Sequence, residues 1–120
     1  MPKIESIKKT RQFRNVYNRG VSFANKSLVL FVYKKKDRQS RLGVSVSKKI
    51  GKSVIRNRIK RLIKENIRLM ANQIKPGFDL VFIVRLPAVN ADFHQIRVSV
   101  ASLLSKHGVI ENVKASQSEE

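Results

Sequence analysis

The sequence predicts an α/β sandwich of the α+β class, with helices packed on one mixed sheet of about four strands. Three observations predict it. Residues 27–36 and 78–86 are apolar runs rich in Val, Ile and Phe, as buried strands are. Residues 41–48 alternate between apolar and small polar side chains, as a strand with two unlike faces does. Helical periodicity appears before, between and after these strands. The predicted order is α-β-β-β-α-β-α in two layers.

The first predicted helix is short and carries two aromatic side chains. Thr10 is its expected N-cap, and Gly20 is the residue expected beyond its end. Phe13 and Tyr17 are one turn apart, so they share a face of this helix. Residues 1–9 are polar and basic, which predicts a flexible arm before the helix.

The next three segments are predicted strands. Residues 21–24 begin the sheet, and a turn at Asn25 leads into the apolar run. Period-two alternation along that run places Val29, Phe31 and Tyr33 on one face. In the third strand, one face carries only small residues, which leaves room for a ligand or for a packed helix.

A second helix is predicted from about Val54 to Met70, with Ser53 as its N-cap. At 100° per residue its apolar side chains gather on one side, which a core would cover. Those side chains are Ile55, Ile59, Leu62, Ile63, Ile67 and Met70.

The opposite side of this helix is basic. Residues 45–68 hold nine of the chain's 26 Lys and Arg residues and one acid, Glu65. Four cations follow one another at intervals of four, which costs a few tenths of a kcal/mol per pair through like-charge repulsion. They are Arg56, Lys60, Lys64 and Arg68. A polyanion that screens this repulsion is the predicted partner, and a purely solubilising surface is the alternative.

The C-terminal part is predicted to contain the last strand, ended by Leu86-Pro87, and a last helix capped by Asp92. Gly108 follows the end of that helix. Residues 112–120 have the polar composition of a disordered tail.

Composition restricts the function. A chain of 120 residues predicts a single domain spanning 1–120, and a net charge of +18 with a pI near 11.1 predicts nucleic acid as the partner. No apolar run approaches the roughly 20 residues of a membrane-spanning helix, so no membrane partner is expected. The absence of cysteine and of a signal peptide predicts a cytoplasmic protein.

No catalytic or metal site is predicted in the polypeptide. The eight acids are scattered, whereas a two-metal nuclease needs clustered carboxylates. His94 and His107 are thirteen residues apart and are expected on the surface of the last helix. No phosphate-binding loop motif is present, so neither a cofactor nor a small-molecule substrate is expected.

Residues 41–65, RLGVSVSKKIGKSVIRNRIKRLIKE, resemble the protein subunit of bacterial ribonuclease P. The segment contains the Arg-Asn-Arg sequence of that family at residues 56–58. Further similarity lies upstream, in Phe13-x-x-Val16-Tyr17-x-x-Gly20 and in Ala24-Asn25, and downstream in residues 84–88. The resemblance covers nearly the whole chain.

The resemblance implies a function and two sites. In that family a catalytic RNA with bound magnesium removes the 5′ leader of precursor tRNA, and the protein binds both RNAs without carrying the chemistry. The basic helix is then expected to contact RNA through Lys52, Arg56, Asn57, Arg58, Lys60, Arg61, Lys64 and Arg68. A leader-binding cleft is expected to contain Phe13, Tyr17, Asn25, Phe31, Ser45 and Lys49. The resemblance also implies a left-handed β-α-β crossover around the basic helix, where the general rule is right-handed.

Several alternatives stay open at this point. Phe13, Tyr17 and Phe31 fit ordinary core packing as well as base stacking. Tyr33 shares the face of Phe31 and is the other candidate for the strand-borne stacking residue. A ribosomal protein or general RNA chaperone, or a DNA-binding protein that uses the basic helix, has the same size and charge.

Overall fold

The structure, a computed structural model, describes residues 4–110. Five strands form one sheet and three helices pack on it. The strands are β1 (Ile4–Ser6), β2 (Val21–Ala24), β3 (Leu28–Lys34), β4 (Ser40–Ser45) and β5 (Phe78–Val84). The helices are α1 (Thr10–Arg19), α2 (Ser53–Leu69) and α3 (Phe93–Lys106), and short 3₁₀ turns occupy Lys48–Ile50, Ala71–Gln73 and Leu86–Asn90.

The sheet has the strand order β1-β4-β5-β3-β2. β4 pairs in parallel with both β1 and β5, while β3 pairs antiparallel with β5 and β2. The mixed sheet and the α+β class are therefore as predicted, with five strands in place of about four. α2 connects the adjacent parallel strands β4 and β5, and the left-handed sense of this crossover stays a prediction.

One face of the sheet forms the main core with α2 and α3. Alternation places Leu28 and Leu30 of β3 and Leu80 and Phe82 of β5 on this face, and all four are fully buried. The apolar stripes of both helices cover them, as the 3.6-residue period predicts. Burying such side chains stabilises the fold by roughly 1.5–3 kcal/mol each.

The opposite face is covered by α1 alone. Val16 of α1, Val81 of β5 and Ile7 form a second, smaller buried cluster there. The sheet thus lies between α1 on one side and the α2–α3 pair on the other, so the predicted two-layer arrangement is wrong in this respect. The reason is that β3 and β5 are apolar at consecutive positions, and both of their faces need a cover.

The predicted flexible arm at residues 1–9 is also wrong in part. Ile4–Ser6 pairs with β4 as an edge strand, and the Ile7 amide donates to the Leu42 carbonyl at 2.8 Å. Ile7 is buried beneath α1. Residues 1–3 of the arm lie outside the described residues, as does the tail predicted at 112–120.

Helix boundaries differ from prediction by one residue at two N-termini. Lys9 and Lys52 occupy the N-cap positions of α1 and α2, so Thr10 and Ser53 are the first helical residues. Asp92 caps α3 as predicted, because its carboxylate accepts from the Gln95 amide at 2.8 Å. The strand predicted at 21–24 matches β2, whereas the other three predicted strands run two or three residues past the observed C-terminal ends.

Asn66 is a polar residue on the buried face of α2. Its side-chain nitrogen donates to the Leu62 carbonyl at 2.9 Å, but its Oδ1 has no hydrogen-bond donor among the described residues. A buried unsatisfied polar atom costs about 1–3 kcal/mol. Asn66→Leu, of similar size, is therefore expected to raise the midpoint of thermal unfolding. A lower midpoint would mean that Oδ1 is hydrogen-bonded in solution.

Candidate RNA-binding site

The basic face of α2 is open along its length. Lys52, Asn57, Arg58, Arg61, Lys64 and Arg68 are exposed, and Arg56 and Lys60 are half-buried. The opposite face carries Ile59, Ile63 and Ile67 in the core. The structure therefore brings all eight residues predicted for this surface onto a single helix and its N-cap.

Three arginines of this face have partners within the protein. Arg56 donates to the Gly51 carbonyl at 3.0 Å and to Ser53 Oγ at 3.1 Å, both neutral groups. Arg58 donates to the Val89 carbonyl at 2.7 Å. Only Arg68 is paired with an acid, through hydrogen bonds of 3.1 and 2.6 Å to Glu65 that lower the pKa of that carboxyl. The other cations of the face have no ion pair in the described part of the chain.

The N-terminus of α2 adds to the positive potential. Its first turn contains no acid, and Lys52 makes no side-chain cap, so the first amide groups lack a side-chain acceptor. Gly51 before it has φ of 154°, a conformation that side chains rarely adopt, and its carbonyl holds Arg56 across this end. Lys52 and Arg56 lie at the positive end of the helix dipole, where their charges do not stabilise the helix. A bound anion at this end would interact favourably with the dipole and with both cations.

Phe13, Tyr17 and Phe31 lie together on the α1 face of the sheet. The ring centroids of Tyr17 and Phe31 are 5.1 Å apart at an interplanar angle of 74°, and those of Phe13 and Tyr17 are 6.4 Å apart. Phe13 lies directly over Gly43 of β4, where an added Cβ would be 2.6 Å from the Phe13 ring. The small residue of β4 thus makes room for the packed helix. All three aromatic side chains are half-buried.

Beside these aromatics, one row of the sheet is left uncovered. The register places Ser45, Ile83, Val29 and Ala24 side by side across four strands. Alternation puts them on the α1 face, one step beyond the row that α1 covers. Ala24 is exposed and the others are half-buried. We call this row and the three aromatics the cleft. Val29 and Ile83 were not predicted as site residues, because their adjacency depends on strand register.

The other two predicted cleft residues differ in placement. Lys49 is exposed in the 3₁₀ turn that leads from β4 to α2, at the same end of the sheet as the uncovered row. Asn25 does not reach the aromatics. Its amide nitrogen donates to the Ser99 carbonyl of α3 at 3.1 Å, and its oxygen accepts from the Ser27 and Leu28 amides. The Asn25 side chain therefore lies toward α3 and holds the β2–β3 turn, which corrects the sequence-based placement.

Acid-base groups are sparse in this region. Within residues 4–110 no three His, Asp or Glu side chains are grouped as metal ligands. His94 is exposed, as predicted, whereas His107 is half-buried against the Leu30 carbonyl, 2.8 Å from its Nε2. No helix in this described range has the length and apolarity needed to cross a membrane.

Comparison with known proteins identifies the family. The family model for ribonuclease P matches residues 1–108. A ribonuclease P protein component of Clostridium botulinum is 50% identical over 108 residues, covering 89% of this chain and 97% of that protein. The structure of the Staphylococcus aureus RNase P protein aligns with a TM-score of 0.84 at 37% identity, covering 91% of this chain and 100% of that one. For the Thermotoga maritima RNase P protein the TM-score is 0.78 at 32% identity, with 85% and 96% coverage.

These matches agree with the geometry of the site, which offers a basic helix and an aromatic cleft and no clustered acids among the described residues. Matches of this identity and coverage extend over the sheet, the helices and the Arg-Asn-Arg segment together. The chain therefore belongs to the bacterial ribonuclease P protein family and is a protein subunit of that enzyme.

Proposed function

We propose that this chain is the non-catalytic, RNA-binding subunit of ribonuclease P, with two RNA-binding surfaces. The basic face of α2 binds the catalytic RNA close to the cleavage region. The cleft binds the single-stranded 5′ leader of precursor tRNA. The observation that carries the proposal is that the basic face of α2 begins at the end of the sheet where the uncovered row lies, because β4 ends in that row and leads through Lys48–Ile50 into the N-terminus of α2.

The α2 surface fits a phosphate backbone. Its guanidinium groups offer paired donors that match phosphate oxygens, and its lysines add point charges. Binding would release counterions from the RNA, which gives affinity without base specificity. It would also relieve the repulsion among Arg56, Lys60 and Lys64, since only Arg68 has an acidic partner.

The cleft fits a single strand better than a duplex. Partly exposed aromatic rings can stack face-on with unpaired bases, and the neighbouring uncovered row offers a flat floor without charged side chains. Lys49 lies at the same end for backbone neutralisation. Of the two strand-borne candidates we favour Phe31, because it lies next to Val29 of the uncovered row, whereas Tyr33 lies beside the charged Asp79. Asn25 takes no part in this proposal.

The chemistry is assigned to the RNA. Magnesium prefers carboxylate oxygens, and Asp79, the one buried acid of the described residues, is already held by Arg41 and Lys35. The residues present therefore do not fit a protein-borne magnesium site, and we place magnesium on the RNA of the holoenzyme. A cytoplasmic location, shared with the RNA partners, is part of the proposal.

Reconstitution with the cognate catalytic RNA tests the proposal. Precursor tRNA should be cleaved at the mature 5′ end by the RNA–protein complex with magnesium, and the protein should improve cleavage at low magnesium. Nuclease-checked protein alone should not cleave. A protein that cleaves without RNA, or that leaves the RNA's activity unchanged, would contradict the assigned role. A ribosomal protein or general chaperone would help leader-bearing and mature tRNA equally.

The double substitution Arg56→Gln and Lys60→Gln is expected to weaken binding to the catalytic RNA. Each lost phosphate contact should flatten the log-log dependence of affinity on salt by roughly 0.7–0.9. Affinity should therefore be measured at several salt concentrations, with thermal unfolding as a check of folding. The charge-matched control is Lys26→Gln with Arg97→Gln, both exposed and neither on α2 nor at its N-cap. Equal slopes for the two double variants would remove Arg56 and Lys60 from the RNA-binding surface.

A further inference from the structure

A pocket outside the cleft lies along the β2 edge of the sheet and extends to the end of β3 that is far from the uncovered row. It forms where the edge strand β2 begins and β3 extends beyond it, between the C-terminal ends of α1 and α3. Its volume of about 400 Å³ falls within the roughly 300–1,000 Å³ typical of small-ligand sites. We call it the corner pocket. It is lined by Arg19, Val21, Phe23, Val32, Tyr33, Lys34, Phe78, Lys106 and His107.

The corner pocket exposes apolar side chains without an evident structural purpose. Phe23 is 39% exposed and Val21 is 60% exposed, both on the outermost strand of the sheet. The Phe23 ring meets the His107 ring edge-on, with centroids 4.8 Å apart, and Lys106 Nζ is 5.6 Å from its centroid. The ring is thus held in place by two neighbours while more than a third of its residue surface remains open to a ligand.

The charges around this ring are of one sign. Arg19, Lys34 and Lys106 line the pocket and no acid does. None of the three has an ion pair within residues 4–110. Burial lowers the pKa of His107, so this residue adds no charge near neutral pH. Arg19 and Lys106 lie in the last turns of α1 and α3, where a cation interacts favourably with the helix dipole. Lys34 is the last residue of β3, so its charge has no helix to stabilise.

We propose that the corner pocket binds a nucleotide of single-stranded RNA, with the base on Phe23 and the flanking phosphates near Arg19, Lys34 and Lys106. An aromatic ring combined with unpaired cations is the combination that holds single strands. A protein partner would have to cover three cations, which disfavours it. The proposal rests on the RNA-binding function above and adds a separate site to it.

The two sites bind different segments of RNA. Strand β3 runs from Leu28, beside the uncovered row, to Lys34 at the corner pocket. Phe23 is paired with Leu30, so it lies on the α3 face of the sheet, whereas the cleft lies on the α1 face. A strand in the cleft therefore does not contact Phe23 without crossing the edge of the sheet.

A fluorescent reporter tests the corner pocket directly. The chain has no tryptophan, so Phe23→Trp introduces a single one that retains a stacking surface. Titration of the full chain with a mixed-sequence RNA octanucleotide should quench its fluorescence in a saturable manner. Val98→Trp, at an exposed position of α3 outside the pocket, is the control and should show little quenching.

The charge contribution is tested in the same reporter protein. Adding Arg19→Gln and Lys34→Gln should raise the quenching midpoint at least fivefold and flatten its salt dependence by about 0.7 per lost contact. Lys26→Gln with Arg97→Gln, which removes the same charges elsewhere on the surface, should leave the midpoint within about twofold. A larger rise in the quenching midpoint for Arg19→Gln with Lys34→Gln than for this control supports the corner pocket.

Four results would overturn the proposal: no saturable quenching of the Phe23→Trp protein, equal quenching of the Val98→Trp protein, equal affinity for base-free polyphosphate, or a signal that depends on protein concentration without RNA. The last would identify a second copy as the occupant. Cleavage of precursor tRNA by the reconstituted Phe23→Trp holoenzyme separates the two hypotheses. Normal cleavage without quenching rejects the corner pocket alone, whereas failure of the unmodified protein in reconstitution rejects the proposed function.

Discussion

Replacing Asp79 by Asn is expected to lower the free energy of unfolding by about 3–5 kcal/mol. The Asp79 side chain is 1% exposed and accepts from Arg41 at 3.0 and 2.7 Å, which raises the pKa of Arg41, while Lys35 Nζ is 3.2 Å away. Without the carboxylate, two largely buried cations would face a neutral amide. Since small domains have only about 5–15 kcal/mol of stability, urea unfolding should shift to a much lower midpoint.

Two controls make this result specific to a buried charge. Glu65→Gln breaks the pair with Arg68, but water screens both side chains and the midpoint should hardly change. The triple change Lys35→Met, Arg41→Met and Asp79→Leu removes all three charges and should lose less stability than Asp79→Asn. If Asp79→Asn unfolds at nearly the parent midpoint, the ion pairs contribute little.

Phe31→Ala is expected to weaken the preference for leader-bearing precursor tRNA over mature tRNA by roughly 1–3 kcal/mol, the usual contribution of one stacked base. The expectation follows from the position of Phe31 between Tyr17 and the uncovered row. Affinity for both tRNA forms should be measured at one salt concentration, because differences in salt would mask the effect.

Phe31→Leu separates stacking from packing. Leucine keeps most of the apolar volume in the smaller cluster but has no aromatic face, so stability should change little while the leader preference falls. Tyr33→Leu, at the charged end of the same strand face, should affect the preference less. If Phe31→Leu retains the full leader preference, the aromatics serve packing and the leader-binding role of the cleft is rejected.

Local pattern was sufficient to predict most of the fold. The stripes of α2 and α3 and the apolar runs of β3 and β5 each identify an element within a few residues. β1 was not predicted because three residues carry no detectable period, and its parallel pairing with β4 joins segments more than thirty residues apart. The consecutive apolar positions that identified β3 also indicate a strand covered on both faces, as the two buried clusters show, although the two-layer prediction did not count the second cover.

The part of the site that lies on one helix was predictable, because helical spacing alone determines which of its side chains share a face. One face of α2 follows from a period, whereas the cleft depends on which strands are neighbours and in what register. Val29 and Ile83 are adjacent only because β3 and β5 pair, so sequence spacing gave no sign of it. Asn25 was misplaced because a turn residue has no face fixed by alternation, and its hydrogen bonds to β3 and α3 decide its direction.

The central position of β5 has a consequence for the order in which the chain folds. β5 joins β4 to β3, yet it follows α2 and is among the last strands to leave the ribosome. Until Phe78–Val84 emerges, β3–β2 and β1–β4 are two strand pairs that the sheet order leaves without backbone hydrogen bonds to each other. Isolated two-stranded units are marginally stable, so cotranslational folding is expected to wait for β5. The basic helix is therefore synthesised, with its apolar face unpaired, before the protein has a sheet on which to pack it.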